Sequence, residues 1–409
     1  MTSDTEPRPI VIIGAGPAGM AAALSLHTVG HRPILLERYR EARPAGNILN
    51  LWPPPIKALR AMGVDTQDLG APCHTTFRGV RGNVRADVKI PDDVVAAYGG
   101  GFIGLLRPEL YRRMLGAMPD GVLRTNQEVT RIDDQGDAVR VELGDGTSID
   151  AAVVVGADGI DSMVRKQLWG ASERREHRLH IIGGYTFADV PGVERNEVVL
   201  SHDREVQGTY SSIRDNGRDG IQWWVLEAWD PAKEPPTDLK AHALTLAGRF
   251  PGPLAGLVES TEPGNFQRWP IRDRKPLKQW SKRRITLAGD AAHATSPYAA
   301  YGAGMSIGDG YTLAQCLTGV DLADTPSVAA ALDHYDERRI AHTTSQVQQA
   351  YVLGKVFHHA PTVLRPVRDW VLDHTPMLQK QVGEKSPAEI VAQLEEMGDG
   401  LAHSSRGAG

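Results

Sequence analysis

The residues best suited to chemistry in this chain are small, and they sit where a phosphate-bearing ligand would need bare backbone. GAGPAG, Gly14 to Gly19, is the first such group. Gly14 permits a tight turn, Gly16 lets a pyrophosphate approach the main chain, and Gly19 lets a helix pack closely on a strand. Pro17 suits a first helical turn, where its missing donor costs nothing, and Ala18 completes the motif. The elements that must position these residues are legible on either side. Pro9 to Ile13 reads as a buried parallel strand, and the small-residue run after the glycines reads as a helix ending near Gly30. RPILLER then supplies a second strand closing on Glu37, followed by Arg38. An acid roughly twenty residues beyond the glycines is placed to hold ribose hydroxyls and disfavours a 2'-phosphate.

Two later segments carry the same strand-then-turn grammar with an acid in the turn. AAVVVGADGIDSMVRKQL places an apolar strand, Ala151 to Val155, before Asp158 and Gly159. RRITLAGDAAHATSPYAAYGAGMSIGDGYTLAQCL places another strand before Gly289 and Asp290, then Pro297, then a glycine-bearing helix start. Either acid could cap a helix, and capping can coexist with ligand contact. Gly302, Ala303 and Gly304, with Met305 after them, open a helix running to about Leu317, so their free N–H groups form an anion site. A second glycine match, GGGFIG from Gly99 to Gly104, lacks a clean preceding strand and a correctly spaced acid, and is expected to be a flexible loop.

At 409 residues the chain exceeds what one hydrophobic core usually serves, so two interleaved domains are expected. Hydrophobic content of 41% with 23% charged residues is ordinary globular usage, and a net charge of -5 offers no basic field for nucleic acid or anionic lipid. Cys73 and Cys316 have no metal-ligand spacing, and no metal site is expected. The opening MTSDTEPRPIVIIG has too short an apolar run for a signal segment, no span follows, and the chain reads as cytoplasmic, with a frayed tail at AHSSRGAG.

Residues 179–269 read as a mainly antiparallel substrate sheet with turns such as RDNGRDG. Tyr210, Trp223, Trp224 and Tyr301 are the candidate substrate-facing residues, Trp229 offers further flat apolar surface, and alternation allows at most one of the Trp223–Trp224 pair to enter a pocket. His202 and His293 are candidate bases to which no role is assigned. The architecture expected is α/β: a Rossmann-like dinucleotide domain from 1–72, 99–178 and 270–325, interleaved with a substrate domain from 73–98 and 179–269. Helices over 326–409 are expected to pack on the dinucleotide domain.

In these features the sequence resembles the group A flavoprotein monooxygenases, the family of para-hydroxybenzoate and salicylate hydroxylases. The resemblance rests on GAGPAG with Glu37 and Arg38, Arg107 in LLRPELYRRML, GADGIDSMVR, DRKPLKQW, GDAAHATSP and HYDERR, in that order along most of the chain. It implies FAD, with Asp158, Gly159 and Arg107 near the diphosphate, Asp290 on the ribityl chain, Val129 among the cofactor-binding residues, and Arg43 near a mobile flavin. It also implies that the helix start at Gly302 faces the flavin N1 and O2 edge. The implied reaction takes hydride from NADH or NADPH, adds O2 at flavin C4a, and passes hydroxyl from the hydroperoxide to a small aromatic or polycyclic substrate; a monomer or homodimer is expected. Tyr301, Gly304 and Gly308 depart from the usual glutamine, asparagine and glutamate, a change that the backbone donors survive. Two other readings stand beside this one: a flavin oxidase or dehydrogenase without oxygen insertion, and a non-catalytic flavoprotein that sequesters a metabolite. The WxWxIP pattern of tryptophan halogenases is missing from WWVLEAW.

Overall fold

The computed structural model describes residues 7–44, 46–299 and 301–401; the opening and closing polar segments noted above fall mostly outside them. Strand Ile10–Ile13 is fully apolar and buried, as a strand covered on both faces must be. It lies at the centre of a five-stranded parallel sheet in the order Ile285–Leu287, Val153–Gly156, Ile10–Ile13, Pro33–Leu36, Leu123–Arg124. The three strands expected to precede Gly14, Asp158 and Gly289 are therefore neighbours, and their carboxyl ends share one sheet edge. Helix Pro17–Thr28 packs on this sheet. Helix Gly302–Leu317 crosses it so closely that a Cβ at Gly310 would overlap the backbone of Ala21 and Ala22. That contact fixes the spacing between the two helices. A three-stranded antiparallel sheet, Val129–Asp134, Val139–Leu143 and Ser148–Ala151, flanks the parallel one.

The second body is a nine-stranded, mainly antiparallel sheet in which Gln267–Asp273, Arg175–Thr186, Arg218–Ala228, Gln207–Asp215 and Glu197–His202 follow one another. Glu197–His202 pairs parallel to Ala71–Gly79, which leads on to Phe102–Leu106 and Ile48–Leu51, with Val84–Val88 beside Ala71–Gly79. Strands Ile48–Leu51 and Phe102–Leu106 thus belong to this sheet although they lie beyond the expected boundaries at 72 and 99.

The flexible loop expected at Gly99 to Gly104 is corrected. Gly99, at φ +76°, caps the exposed helix Asp92–Tyr98, and Phe102–Leu106 is a buried strand. Gly104 is needed there because a Cβ would overlap the Ser212 carbonyl.

Helices Thr325–His358, Arg365–His374 and Lys385–Glu396, with a π-helical turn at Gln379–Glu384, complete the chain. Contact with the dinucleotide side is real, since Lys57 donates to the Leu394 carbonyl at 2.9 Å and Tyr311 to that of Met397 at 2.9 Å. The same helices also reach the large sheet, where Phe357, Leu372, Leu378 and Val382 form a cluster with Ala86 and Phe77. Among the described residues no helix is long and apolar enough to cross a membrane.

Candidate active site

Gly14 has φ +102° and its N–H bonds the Leu36 carbonyl at 2.8 Å, locking the turn between the first two strands. A Cβ there would meet the Ala157 carbonyl oxygen at 2.6 Å, so only glycine fits. A Cβ at Gly16 would meet nothing within 4 Å; bare backbone faces open space where the motif needs a diphosphate. Glu37 stands beside this turn, accepting from Ala15 N–H at 2.9 Å and Tyr39 N–H at 3.0 Å. Its carbonyl takes the Gln127 N–H at 2.9 Å, which brings the segment leading to Val129 alongside. Arg38 is exposed and stacks on Tyr39 at 4.8 Å, while Arg43 is exposed and paired with Glu41 at 3.3 Å.

Asp158 follows the next strand. One carboxylate oxygen caps helix Met163–Trp169, accepting from Met163 N–H at 2.7 Å and Val164 N–H at 3.2 Å; the other is buried with no protein partner. Capping therefore uses only half of the group and leaves an acceptor for a ligand. Burial raises its pKa above the ordinary carboxylate value, against the lowering pull of Ser162 and the helix amides. The Asp158 turn is tied to the Asp290 turn by Arg165, whose guanidinium donates to the Ala291 and Ala292 carbonyls at 3.2 and 2.9 Å.

Asp290 is accessible to solvent although its chain neighbours Ala288, Gly289, Ala291 and Ala292 are all buried. Burial pushes its carboxyl upward, and His293 and Arg107 pull it back. Arg107 opens helix Arg107–Gly116, and Tyr111 one turn later feels Arg107, Glu37 and Asp290 together. The glycine turn, Glu37, Arg107, Asp158 and Asp290 thus converge. An open glycine cradle, an orphaned buried carboxylate oxygen and an accessible acid beside an arginine fit FAD.

Asp309 is a residue the sequence reading missed. It is fully buried on helix Gly302–Leu317 and accepts from Gly289 N–H at 2.8 Å, from Arg339 Nε at 2.8 Å and from His293 Nε2 at 2.6 Å. Burial pushes its carboxyl up, but His293 and Arg339 outweigh that and hold it below the ordinary value. His293 is accordingly part of the scaffold holding the Asp290 turn against the helix start. Pro297 is exposed; Gly302 and Ala303 are half-buried, and Gly304 and Met305 buried, at that helix start. Met305 N–H bonds the Tyr301 carbonyl at 2.9 Å, leaving the preceding amides without intrahelical partners.

Tyr301 links this helix to a cavity of about 130 Å3, measured as space open to the centres of water molecules. Phe77, Trp224, Tyr298, Leu353 and Phe357 are among its apolar walls. Tyr301 donates to Gln393 Oε1 at 2.5 Å, closing one end with the last helix. Of the expected substrate-facing residues, Trp224 and Tyr301 line this space. Tyr210 and Trp223 are corrected: both point into a separate core behind the sheet, where Trp223 is fully buried against Phe266 and donates to Thr261 Oγ1 at 2.8 Å.

His202, given no role from sequence, also lines the cavity and stacks on Phe357 at 4.2 Å. Its Nε2 lies 3.1 Å from Tyr298 Oη, which lies 3.4 Å from His358 Nε2. His358 Nδ1 is 2.9 Å from the Glu205 carbonyl, which can only accept. The chain of donors is thereby set: His358 donates to Glu205, Tyr298 to His358, and His202 Nε2 to Tyr298. Nδ1 remains the acceptor of the His202 ring.

A family model described as FAD binding domain matches residues 8–350. The 6-hydroxynicotinate 3-monooxygenase of Bordetella bronchiseptica is 30% identical over 84% of this chain and 90% of its own. The 3-amino-4-hydroxybenzoate 2-monooxygenase of Streptomyces platensis is 30% identical over 87% and 90%. The crystal structure of Klebsiella pneumoniae HpxO complexed with FAD and uric acid superposes with a TM-score of 0.81 at 20% identity, covering 94% of this chain and 97% of that one. The chain belongs to the FAD-binding group A flavoprotein monooxygenases. It is an FAD-dependent oxidoreductase of the aromatic monooxygenase class.

Proposed function

We propose that the protein hydroxylates an aromatic or polycyclic small molecule in the cavity beside Trp224 and Tyr301, using NADH or NADPH and O2. The observation carrying this reading is Tyr301, which is at once a cavity wall and the residue preceding the amides of Gly302 to Gly304. FAD, when bound, supplies the redox and oxygen-transfer chemistry. Two electrons from the nicotinamide and one oxygen atom of O2 enter the balance; the other oxygen leaves as water.

The chain's own residues divide the remaining work. Gly14, Gly16, Pro17, Ala18, Gly19, Glu37, Arg107, Asp158, Gly159, Gly289 and Asp290 would hold the cofactor, with Val129 and Arg38 at its outer end. The amides at Gly302 to Gly304 would stabilise negative charge on its ring, as oxyanion donors do. Phe77, Trp224 and Phe357 exclude water from the reacting carbon. His202, held by Tyr298 and His358, would orient a ring hydroxyl of the ligand by hydrogen bonding.

The test is oxidation of NAD(P)H by the purified protein with a panel of hydroxylated aromatics under 18O2. Ligand-stimulated oxidation with one label in the product supports the proposal. Stimulated oxidation yielding unlabelled product would leave a dehydrogenase or oxidase instead.

A further inference from the structure

The polar atoms of the cavity carry information about the ligand that the relatives do not. Among the described residues lining it there is no lysine and no arginine. The nearby guanidiniums of Arg85, Arg368 and Arg339 are already paired with Asp373, Asp369 and Asp309. What the lining offers is one carboxylate, Glu389, among glutamine and serine groups that both donate and accept. Gln207 is 4% exposed and its amide is used within the protein, bonded to Thr209 Oγ1 at 3.0 Å and set beside His202. Glu389, which can only accept when ionised, shares the polar end with Gln346, Gln349, Gln393 and Ser386. Gln346 donates to one Glu389 oxygen at 3.3 Å, and Lys385, half exposed and outside the lining, reaches the other at 3.5 Å. His202 provides no cation either, because burial drives its ring well below the ordinary imidazole value.

An aromatic carboxylate placed here would be desolvated without a counter-charge, and would face a second carboxylate. A ligand bearing N–H or O–H groups would meet Glu389 and the carbonyls of Gln349 and Gln393 instead. We infer that this cavity selects a non-anionic aromatic ligand with a hydrogen-bond-donating head, a protonated amine included, and rejects aromatic carboxylates. This rests on the cavity being the substrate site, and it separates this chain from relatives whose named substrates, 6-hydroxynicotinate and 3-amino-4-hydroxybenzoate, are carboxylates.

The experiment is equilibrium binding to the FAD-loaded protein, by calorimetry and perturbation of the flavin spectrum, with 2-naphthamide, 2-naphthylmethylamine and 2-naphthoate. The amide and the amine are expected to bind at least about 100-fold more tightly than the carboxylate, the factor expected for an uncompensated buried charge. Glu389→Gln should lower amine affinity about tenfold and leave the amide unchanged, with the flavin spectrum intact. Gln349→Arg should recover naphthoate binding. Equal or tighter binding of naphthoate, naphthoate binding lost in Lys385→Ala, or no binding of any of the three would overturn the inference. Turnover is not needed for this readout. Labelled product from carboxylates alone would remove this inference and keep the hydroxylase reading, whereas the expected binding order without oxygen insertion would do the reverse.

Discussion

Replacing Asp309 by asparagine isolates the electrostatic part of the scaffold, because the side chain keeps its shape and one oxygen can still accept from Gly289. The charge is lost, and with it the partner of Arg339, whose guanidinium is only 12% exposed and bonds Asp309 at 2.8 Å. Breaking a buried pair by removing one member costs about 3–5 kcal/mol, most of it the desolvation of the abandoned charge. The oxygen that keeps Gly289 also keeps His293, so the new amide nitrogen faces the Arg339 Nε donor. We therefore expect Asp309→Asn to lower unfolding free energy by about 3–5 kcal/mol in urea titrations of the FAD-loaded protein. Tryptophan emission is a suitable signal, since Trp280 is buried and tilted against His293 at 5.3 Å. Arg339→Met alone should also destabilise, but the double variant should lose less than the sum, since no charge is then left unpaired. A loss below about 1 kcal/mol for Asp309→Asn, or simple additivity, would mean that the pair is not electrostatically coupled in the folded protein.

Other outcomes follow from the same geometry. Trp224→Ala should raise KM for the substrate with little change in stability, whereas Trp223→Ala should cost about 3–5 kcal/mol in unfolding free energy with KM preserved; the reverse pattern would exchange their assignments. His202→Ala should weaken binding of a hydroxylated aromatic about tenfold, seen as a raised KM, while leaving anaerobic flavin reduction intact; an unchanged KM would remove His202 from ligand orientation. Stability should fall on acidification: burial holds His342 and His358 at about 4, against 6.5 when exposed. The native state then binds fewer protons than the unfolded one between those values, so stability is complete above pH 6.5 and declines toward pH 4. Each histidine contributes about 3 kcal/mol to that decline, and a flat urea midpoint across this window would contradict it.

The dinucleotide side was legible in the sequence because its signals are local. Each of Gly14, Asp158 and Gly289 follows a short apolar strand that the sequence shows directly. The cavity was much less legible, since Phe77, Trp224, Tyr301, Phe357 and Gln393 meet only through the tertiary arrangement of one sheet and two helices. Alternation along Arg218–Ala228 separates Trp223 from Trp224 but does not say which face is covered by a second core. Asp309 lies within a helix among glycines and small residues, with no local feature announcing three long-range partners. The segment at Gly99 to Gly104 misled for the opposite reason: its glycines look like flexibility, yet one ends a helix and another yields to a neighbouring strand.

A crystal of the protein soaked with FAD decides where the ring lies relative to the cavity. Density for the flavin ring should lie with its pyrimidine edge at the amides of Gly302 to Gly304 and its opposite end facing the space bounded by Trp224 and His202. A ring held elsewhere, or cut off from that space by Tyr301 and Gln393, would contradict this placement.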